Sequence, residues 1–137
     1  MKLKLLIAAI VITPALVLAQ TAPNMLGTWT ATSNATVMGT AAHHQVPNKK
    51  DGEIYFNKVP LKMVIDRQEG VNFSGMISSI YYKEVILGAI TPDLQSGVMV
   101  DDDGSYTFKI NDPTTIQVCY VQISKPKVAN CWIGKKQ

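Results

Sequence analysis

Most of the chain is a succession of short runs in which apolar and polar residues alternate. β-Branched and aromatic residues dominate these runs, and no convincing amphipathic helix interrupts them. Turn-forming stretches such as Glu69-Gly70 and Asp102-Asp103-Gly104 separate one run from the next. The pattern predicts eight strands, at residues 26–32, 60–68, 71–78, 82–90, 97–101, 105–110, 115–123 and 128–134.

Strands joined by short turns pair with their neighbours in the chain. Eight antiparallel strands in up-and-down order remove their exposed edges by closing on themselves. The predicted fold class is therefore all-β, an eight-stranded antiparallel meander barrel in one domain at residues 20–137. Gly75, Ala89 and Gly97 are small residues within predicted strands. They favour a partly empty interior, although the alternative is that they only relieve barrel corners.

One predicted connection, at residues 33–59, is far longer than the others. Long loops are uncommon in compact domains and often carry function. A short run at residues 53–56 leaves open an alternative, in which part of this segment extends the first two strands. We otherwise expect residues 33–59 to form a long loop at one end of the barrel.

The N-terminus has the features of a secretory signal peptide. Lys2 and Lys4 precede an apolar run, and Ala19 supplies the small residue at a cleavage point. The run is short for a membrane span, although an uncleaved anchor is the alternative. We predict a signal peptide at residues 1–19 and, after its removal, a soluble periplasmic or secreted domain without a membrane span.

Charge and cysteine content exclude several classes of function. The chain has 13 Lys and Arg, and loss of Lys2 and Lys4 leaves 11 against 10 Asp and Glu, so no basic excess suggests a nucleic-acid partner. Two cysteines are too few for a cysteine-based zinc site, and no metal or other cofactor is predicted. Cys119 and Cys131 lie nearly equidistant from a turn at residues 124–127. In an oxidising compartment this symmetry favours a disulfide over two separate thiols.

Meander topology predicts where a site would lie. Successive connections alternate between the two barrel ends, so the first, third, fifth and seventh share one end, the predicted mouth. Barrel mouths are ordinary ligand sites. We expect this end to bring together His43, His44, Tyr81, Tyr82, Asp101–Asp103, Lys125 and Lys127. The candidate ligand-binding residues are His43, His44, Tyr81, Tyr82 and Glu84.

Each candidate has a plainer alternative. His43 and His44 could bind a metal or transfer a proton, but neighbouring strand residues point to opposite faces, so one would pack and the other face solvent. The stretch Asp101–Asp103 lacks the ligand spacing of a calcium-binding loop, and an acidic turn is the plainer interpretation. Glu84 could face inward with a raised pKa or lie at the rim in water. No nucleophile elbow or phosphate loop is visible, so no catalytic residue is assigned.

The stretch Gly27-Thr28-Trp29 opens the first predicted strand. A Gly-x-Trp motif there, in an exported eight-stranded meander, resembles the lipocalin and avidin families of small calycin-like barrels. The resemblance implies structural roles for Gly27 and Trp29, with Trp29 closing one barrel end and Lys135 or Lys136 packing across it. The chain departs from avidins in tryptophan content, because their biotin sites use several and only Trp29 and Trp132 are present here.

Three functions remain open at this point. The first is binding of a small apolar or amphipathic ligand at the barrel mouth. The alternative is a periplasmic interaction or inhibitor protein that docks its loops on a protein partner. A second alternative is a small barrel isomerase or cyclase, which would need His43 or His44 near Glu84 in one pocket. The sequence favours a binding protein over an enzyme.

Overall fold

A computed structural model describes residues 21–40 and 48–137, which form a closed antiparallel barrel. Each strand pairs with its chain neighbours, and the last pairs with the first, so the predicted fold class is confirmed. Within the described part of the chain, no helix has the length and apolar character needed to cross a membrane. The predicted signal peptide lies outside the described residues. The strands are β1 (Gly27–Met38), β2 (Ile54–Glu69), β3 (Asn72–Ser78), β4 (Lys83–Ile90), β5 (Ser96–Val100), β6 (Ser105–Asp112), β7 (Thr115–Gln122) and β8 (Lys127–Lys136).

The predicted long loop at residues 33–59 is wrong at both of its ends, where residues 33–38 and 54–59 belong to strands. Strand β1 continues to Met38 and β2 begins at Ile54, and the two pair throughout this region. Only the alternative, in which the segment extends both strands, agrees with the structure. The apolar alternation fails here because inward positions such as Ser33 and Asn57 line a cavity instead of an apolar core.

The first half of β2 has a strand on one side only. Pairing with β3 begins at Lys62, whereas residues 54–61 pair with β1. Pro60 lies in this half and has no N–H to donate to a ladder, which suits a strand edge. The hairpin of β1 and β2 therefore extends past the end of β3 at the mouth of the barrel.

The opposite end of the barrel is closed by side chains. Trp29 is only 2% exposed, and its Nε1 donates to the carbonyl oxygen of Met25 at 2.9 Å. The Met25 side chain is itself buried, and its N–H donates to Oε1 of Gln68 at 2.7 Å. Lys136 Nζ lies 5.4 Å from the centroid of the Trp29 ring. The indole N–H of Trp29 and the backbone N–H of Met25 therefore both have partners within the chain.

Gly27 permits this arrangement. Its φ of +124° lies in a region that favours glycine, and a Cβ there would lie 3.1 Å from Cε of Lys136. Glycine at the start of β1 therefore lets the Lys136 side chain lie across Trp29.

The interior near the closed end is filled. A Cβ on Gly97 would lie 2.3 Å from Cζ of Phe108, and one on Gly75 would lie 2.1 Å from the carbonyl oxygen of Val64. The prediction that these glycines leave the interior partly empty is therefore wrong, because a ring and a neighbouring strand occupy the space. The buried apolar core includes Met63, Ile65, Ile77, Ile86, Met99, Ile116 and Val118.

The two cysteines form the predicted disulfide. Cys119 on β7 and Cys131 on β8 are direct partners in the strand register, and their sulfur atoms are bonded. This prediction is confirmed. Disulfides are typical of oxidising compartments.

Candidate functional site

The mouth of the barrel is the end where the first, third, fifth and seventh connections meet. Lys125 Nζ in the seventh connection lies 2.8 Å from Oδ2 of Asp51 in the first, so an exposed ion pair joins the two. A cavity of about 70 Å³ lies inside this end. One water molecule needs roughly 10–15 Å³ by the same kind of measure, so the cavity has room for several waters or a small organic group.

Aromatic and polar side chains dominate the cavity wall. All five tyrosines of the chain line it, together with Trp132 and the carboxylates of Glu84 and Asp101. None of the described lining residues is Lys, Arg or His. The full lining is Ser33, Ala35, Val37, Tyr55, Asn57, Val59, Leu61, Tyr81, Tyr82, Glu84, Asp101, Tyr106, Tyr120, Gln122, Pro126, Val128, Asn130 and Trp132.

Three of the five candidate residues named from the sequence line this cavity. They are Tyr81 and Tyr82, in the connection between β3 and β4, and Glu84 near the start of β4. Glu84 is half-buried and faces the cavity. His43 and His44 lie outside the described residues. The part that these residues play in binding stays a prediction.

Sequence reasoning missed the strand residues that form most of the wall. Tyr55, Tyr106, Tyr120, Gln122 and Asn130 occupy inward-facing positions of β2, β6, β7 and β8. Their sequence signal is a polar or phenolic side chain at every second position, in place of an aliphatic one. That signal is visible only once the inward face of each strand is known.

Asp101 holds the turn between β5 and β6 and also lines the cavity. Its Oδ1 accepts hydrogen bonds from the backbone N–H groups of Asp103 at 3.1 Å and Gly104 at 2.7 Å. Its Oδ2 accepts a hydrogen bond from the hydroxyl of Tyr106. These three bonds fix the carboxylate in place. Among the residues that the structure describes, no group of three or more His, Cys, Asp and Glu could hold a metal ion.

The wall formed by β7, β8 and β1 has three buried polar atoms with no hydrogen-bond partner. They are Nε2 of Gln122, Oδ1 of Asn130 and Nε1 of Trp132. Gln122 and Trp132 are 3% and 5% exposed. A buried polar atom that lacks a partner destabilises the folded state by about 1–3 kcal/mol, so such atoms are rare and require an explanation.

The other halves of the two amides are anchored. Oε1 of Gln122 accepts a hydrogen bond from the Tyr120 hydroxyl at 3.0 Å. Nδ2 of Asn130 donates to Oγ of Ser33 at 2.9 Å, across the pairing of β8 with β1. In the register of β7 and β8, Tyr120 faces Asn130 directly. Each amide therefore has one group bonded to the protein and one group without a partner on the same wall of the cavity.

The two carboxylates of the cavity lining, Glu84 near the start of β4 and Asp101 just after β5, lie across the barrel from the pairing of β8 with β1. Burial raises the pKa values of Tyr82, Tyr106 and Tyr120 above their ordinary value of 10.0, and the charge of Asp101 raises them further. The charge of Glu84 contributes in the same direction at Tyr82 and Tyr120. These hydroxyls therefore stay protonated at neutral pH. The rings of Tyr106 and Tyr120 lie 4.4 Å apart between centroids, with a 41° angle between their planes.

The site thus combines hydrogen-bonding groups, aromatic rings and two carboxylates around a small space that opens to solvent. Such a site can bind a small polar molecule by hydrogen bonds on one side and by charge on the other. Comparison of the chain with protein-family models, with curated proteins and with solved structures gives no match. The barrel and the geometry of its cavity therefore carry the functional argument.

Proposed function

We propose that the protein binds a small polar organic molecule in the cavity at the mouth of its barrel. The observation that carries the proposal is the set of three buried polar atoms without partners, on Gln122, Asn130 and Trp132. Two of these atoms are N–H donors and one is an acceptor. A ligand with an acceptor oxygen and an O–H or N–H group complements them, and its binding removes the penalty for leaving them unsatisfied.

The size of the cavity limits how much of the ligand is enclosed. Its volume of about 70 Å³ is smaller than the roughly 150 Å³ that encloses benzene in an engineered protein cavity. The enclosed part is therefore a group of a few non-hydrogen atoms, and the remainder extends through the mouth. Tyr81, Tyr82 and Glu84 would contact the part near the mouth, where the first connection would also supply His43 and His44.

The proposal includes the compartment and the type of barrel. The disulfide between Cys119 and Cys131 supports an exported protein, in the periplasm or outside the cell. The closed meander, with Trp29 buried at one end and a cavity at the other, supports likeness to the ligand-binding barrels of the lipocalin and avidin type.

Native mass spectrometry tests the proposal. The chain is purified from the exported fraction of cells that express it, without added ligand, and its mass is compared before and after denaturation. We expect a reproducible additional mass that is lost on denaturation. A bare chain under every mild condition, and no ligand from a library of small metabolites that shifts its melting temperature, would contradict the proposal and leave waters as the occupants of the cavity.

A matched pair of variants locates the ligand. Gln122→Ala removes an unpartnered donor from the cavity wall, whereas Gln117→Ala removes the same side chain from an exposed position on the same strand. We expect the additional mass to be lost from Gln122→Ala and kept by Gln117→Ala. Equal loss from both would place the bound molecule elsewhere on the protein.

A second function, docking to a partner protein, has one specific observation in its favour. Four large apolar side chains near the mouth are exposed, by 64% at Ile54, 84% at Phe56, 73% at Ile80 and 88% at Ile123. Exposed apolar side chains that cluster are typical of protein interfaces. Affinity capture from the exported fraction with wild-type protein and Phe56→Ser tests this function. We expect a specific partner to be lost with the variant, and no difference in captured proteins would contradict it.

A further inference from the structure

We infer that the protein forms a symmetric dimer through the outward-facing positions of β3, β4, β5 and β6, here called the β3–β6 face. The mouths of the two barrels point in opposite directions. The inference concerns the outside of the barrel and does not depend on the proposed function. It is carried by an exposed apolar cluster on β4 and β5 and by the charges at the two ends of the β3–β6 face.

The exposed apolar cluster consists of Val85 and Leu87 on β4 and of Val98 and Val100 on β5. All four side chains are about half exposed. In the strand register, Leu87 is the direct partner of Val100, and the half-buried Met76 on β3 is the partner of Val85. Aliphatic side chains that adjoin one another on neighbouring strands form one continuous apolar surface, and such surfaces mark interaction sites.

The strand positions beside the cluster are polar but uncharged. Ser74 on β3 is the partner of the cluster on one side, and Ser105 and Thr107 on β6 are its partners on the other. The outer face of β2 is different, because the exposed side chains of Lys58 and Lys62 point outward there. An apolar centre with an uncharged polar border has the composition of a protein interface, in which charged residues are depleted at the core.

The ends of the β3–β6 face carry charges that are complementary to a second copy of the same face. At the mouth end, exposed Lys83 begins β4 and exposed Asp102 lies in the connection before β6. At the closed end, exposed Asp93 lies in the connection after β4 and exposed Lys109 lies near the end of β6. The lysine is therefore on the β4 side at one end and on the β6 side at the other.

Symmetry determines which of these charges would meet. A twofold interface uses the same patch on both copies, and facing sheets pack about 10 Å apart with nearly aligned strands. When the mouths point in opposite directions, Lys83 lies near Asp93 of the second copy, and Lys109 lies near Asp102 of the second copy. When the mouths point the same way, the two Asp93 carboxylates approach each other. Charge therefore favours opposite directions.

The size of the face sets the expected strength of the dimer. A face four strands wide and as long as β4 covers about 500 Å² on each copy, from the spacing of strands and the rise per residue. Stable interfaces bury about 800 Å² on each partner. We therefore expect a reversible dimer with a dissociation constant in the micromolar range. Both mouths lie at the ends of the barrels and stay open to a ligand.

Sedimentation velocity tests the inference with a matched pair of variants. Val98 and Val121 are both 52% exposed, and Val121 lies on β7, outside the β3–β6 face. We expect wild type to pass from monomer to dimer between about 1 μM and 1 mM. Val98→Lys should weaken self-association about tenfold or more, whereas Val121→Lys should leave it unchanged. If Val98→Lys does not fold, Leu87→Lys on the neighbouring strand takes its place.

Charge reversal tests the orientation of the two copies. Lys109→Glu brings like charges together at the expected pair, and we expect self-association to weaken about fivefold. The second substitution Asp102→Lys forms the pair again with exchanged signs, so the double variant should regain the affinity of wild type. A double variant weaker than Lys109→Glu alone would overturn the orientation.

Two outcomes would overturn the dimer itself. One is wild-type protein that stays monomeric over the whole concentration range, and the other is equal self-association of Val98→Lys and Val121→Lys. Neither outcome bears on the proposed function, because native mass spectrometry detects a ligand bound to a monomer as readily as one bound to a dimer.

Discussion

The two tryptophans of the barrel have nearly equal burial and opposite hydrogen bonding. Trp29 is 2% exposed at the closed end, and its indole N–H donates to the carbonyl oxygen of Met25. Trp132 is 5% exposed and lines the cavity, and its indole N–H has no partner. The indole N–H is therefore satisfied within the chain at the closed end, whereas at the cavity it has no hydrogen-bond partner.

The difference extends to the surroundings of each residue. At the closed end, Phe rings and neighbouring backbone occupy the space beside the strand glycines Gly75 and Gly97. At the mouth, inward positions carry hydroxyl, amide and carboxyl groups around a cavity. Since burial alone does not distinguish the ends, the presence of unsatisfied polar atoms is the better guide to a binding site in this barrel.

The largest expected loss of stability follows replacement of Trp29, and the same replacement at Trp132 is the comparison. Trp29→Phe removes a buried hydrogen bond and leaves both a small cavity and an unpaired carbonyl, so we expect it to lower the free energy of unfolding by about 3 kcal/mol. Trp132→Phe removes an N–H that has no partner, so relief of that unsatisfied group offsets part of the cost of lost volume, and we expect a net loss of about 1 kcal/mol. Urea denaturation measures both values. Equal losses would mean that the Trp132 N–H is satisfied in the folded protein.

The disulfide lies between these two regions on the β7–β8 pair. The pair Cys119 and Cys131 adjoins the pairs of Val118 with Trp132 and of Tyr120 with Asn130. Replacing both cysteines with serine removes a short cross-link, and we expect the free energy of unfolding to fall by about 2–3 kcal/mol. Denaturation of the oxidised and reduced wild-type protein is the control. A variant as stable as the oxidised protein would contradict the expectation.

Substitutions that enlarge a side chain test whether each end of the barrel has room for added volume. Gly97→Ala places a methyl group against the Phe108 ring, and we expect it to destabilise the protein by about 1–3 kcal/mol. Ala35→Val adds volume at a buried position that lines the cavity, and we expect a change below about 0.5 kcal/mol. Thermal unfolding compares the two variants. A large loss in Ala35→Val would show that the cavity is not free to accept a side chain.

The smallest expected effect appears only at alkaline pH. Burial, followed by the charge of Asp101, raises the pKa of Tyr106 above its ordinary value of 10.0. The folded state then holds the phenolic proton more tightly than the unfolded state, so stability is unaffected below pH 10 and falls as the pH rises above it. In Tyr106→Phe the decline above pH 10 should be shallower than in wild type. Stability curves against pH that are parallel for the two proteins would contradict this assignment.

The sequence predicted the barrel well because most strands obey a simple alternation. Turns such as Glu69-Gly70 and the symmetric placement of Cys119 and Cys131 were sufficient to predict the strand order, the hairpin and its disulfide. The alternation failed between residues 33 and 59, since Ser33 and Asn57 face a cavity and not a core. The same cause hid the candidate site, because a buried amide such as that of Gln122 has the sequence signature of a surface residue.

The pairing of β1 with β8, which closes the barrel, matters both for folding and for how a ligand would stabilise the protein. Strand pairings other than that of β1 with β8 join neighbours in the chain, whereas this last pairing joins its two ends. The hydrogen bond from Asn130 to Ser33 crosses that seam and links residues 97 positions apart. The cavity wall formed by β7, β8 and β1 therefore does not exist until the least local strand pairing of the fold has formed. A bound molecule would stabilise only the closed chain, so its concentration would set the fraction of molecules in which the barrel is closed.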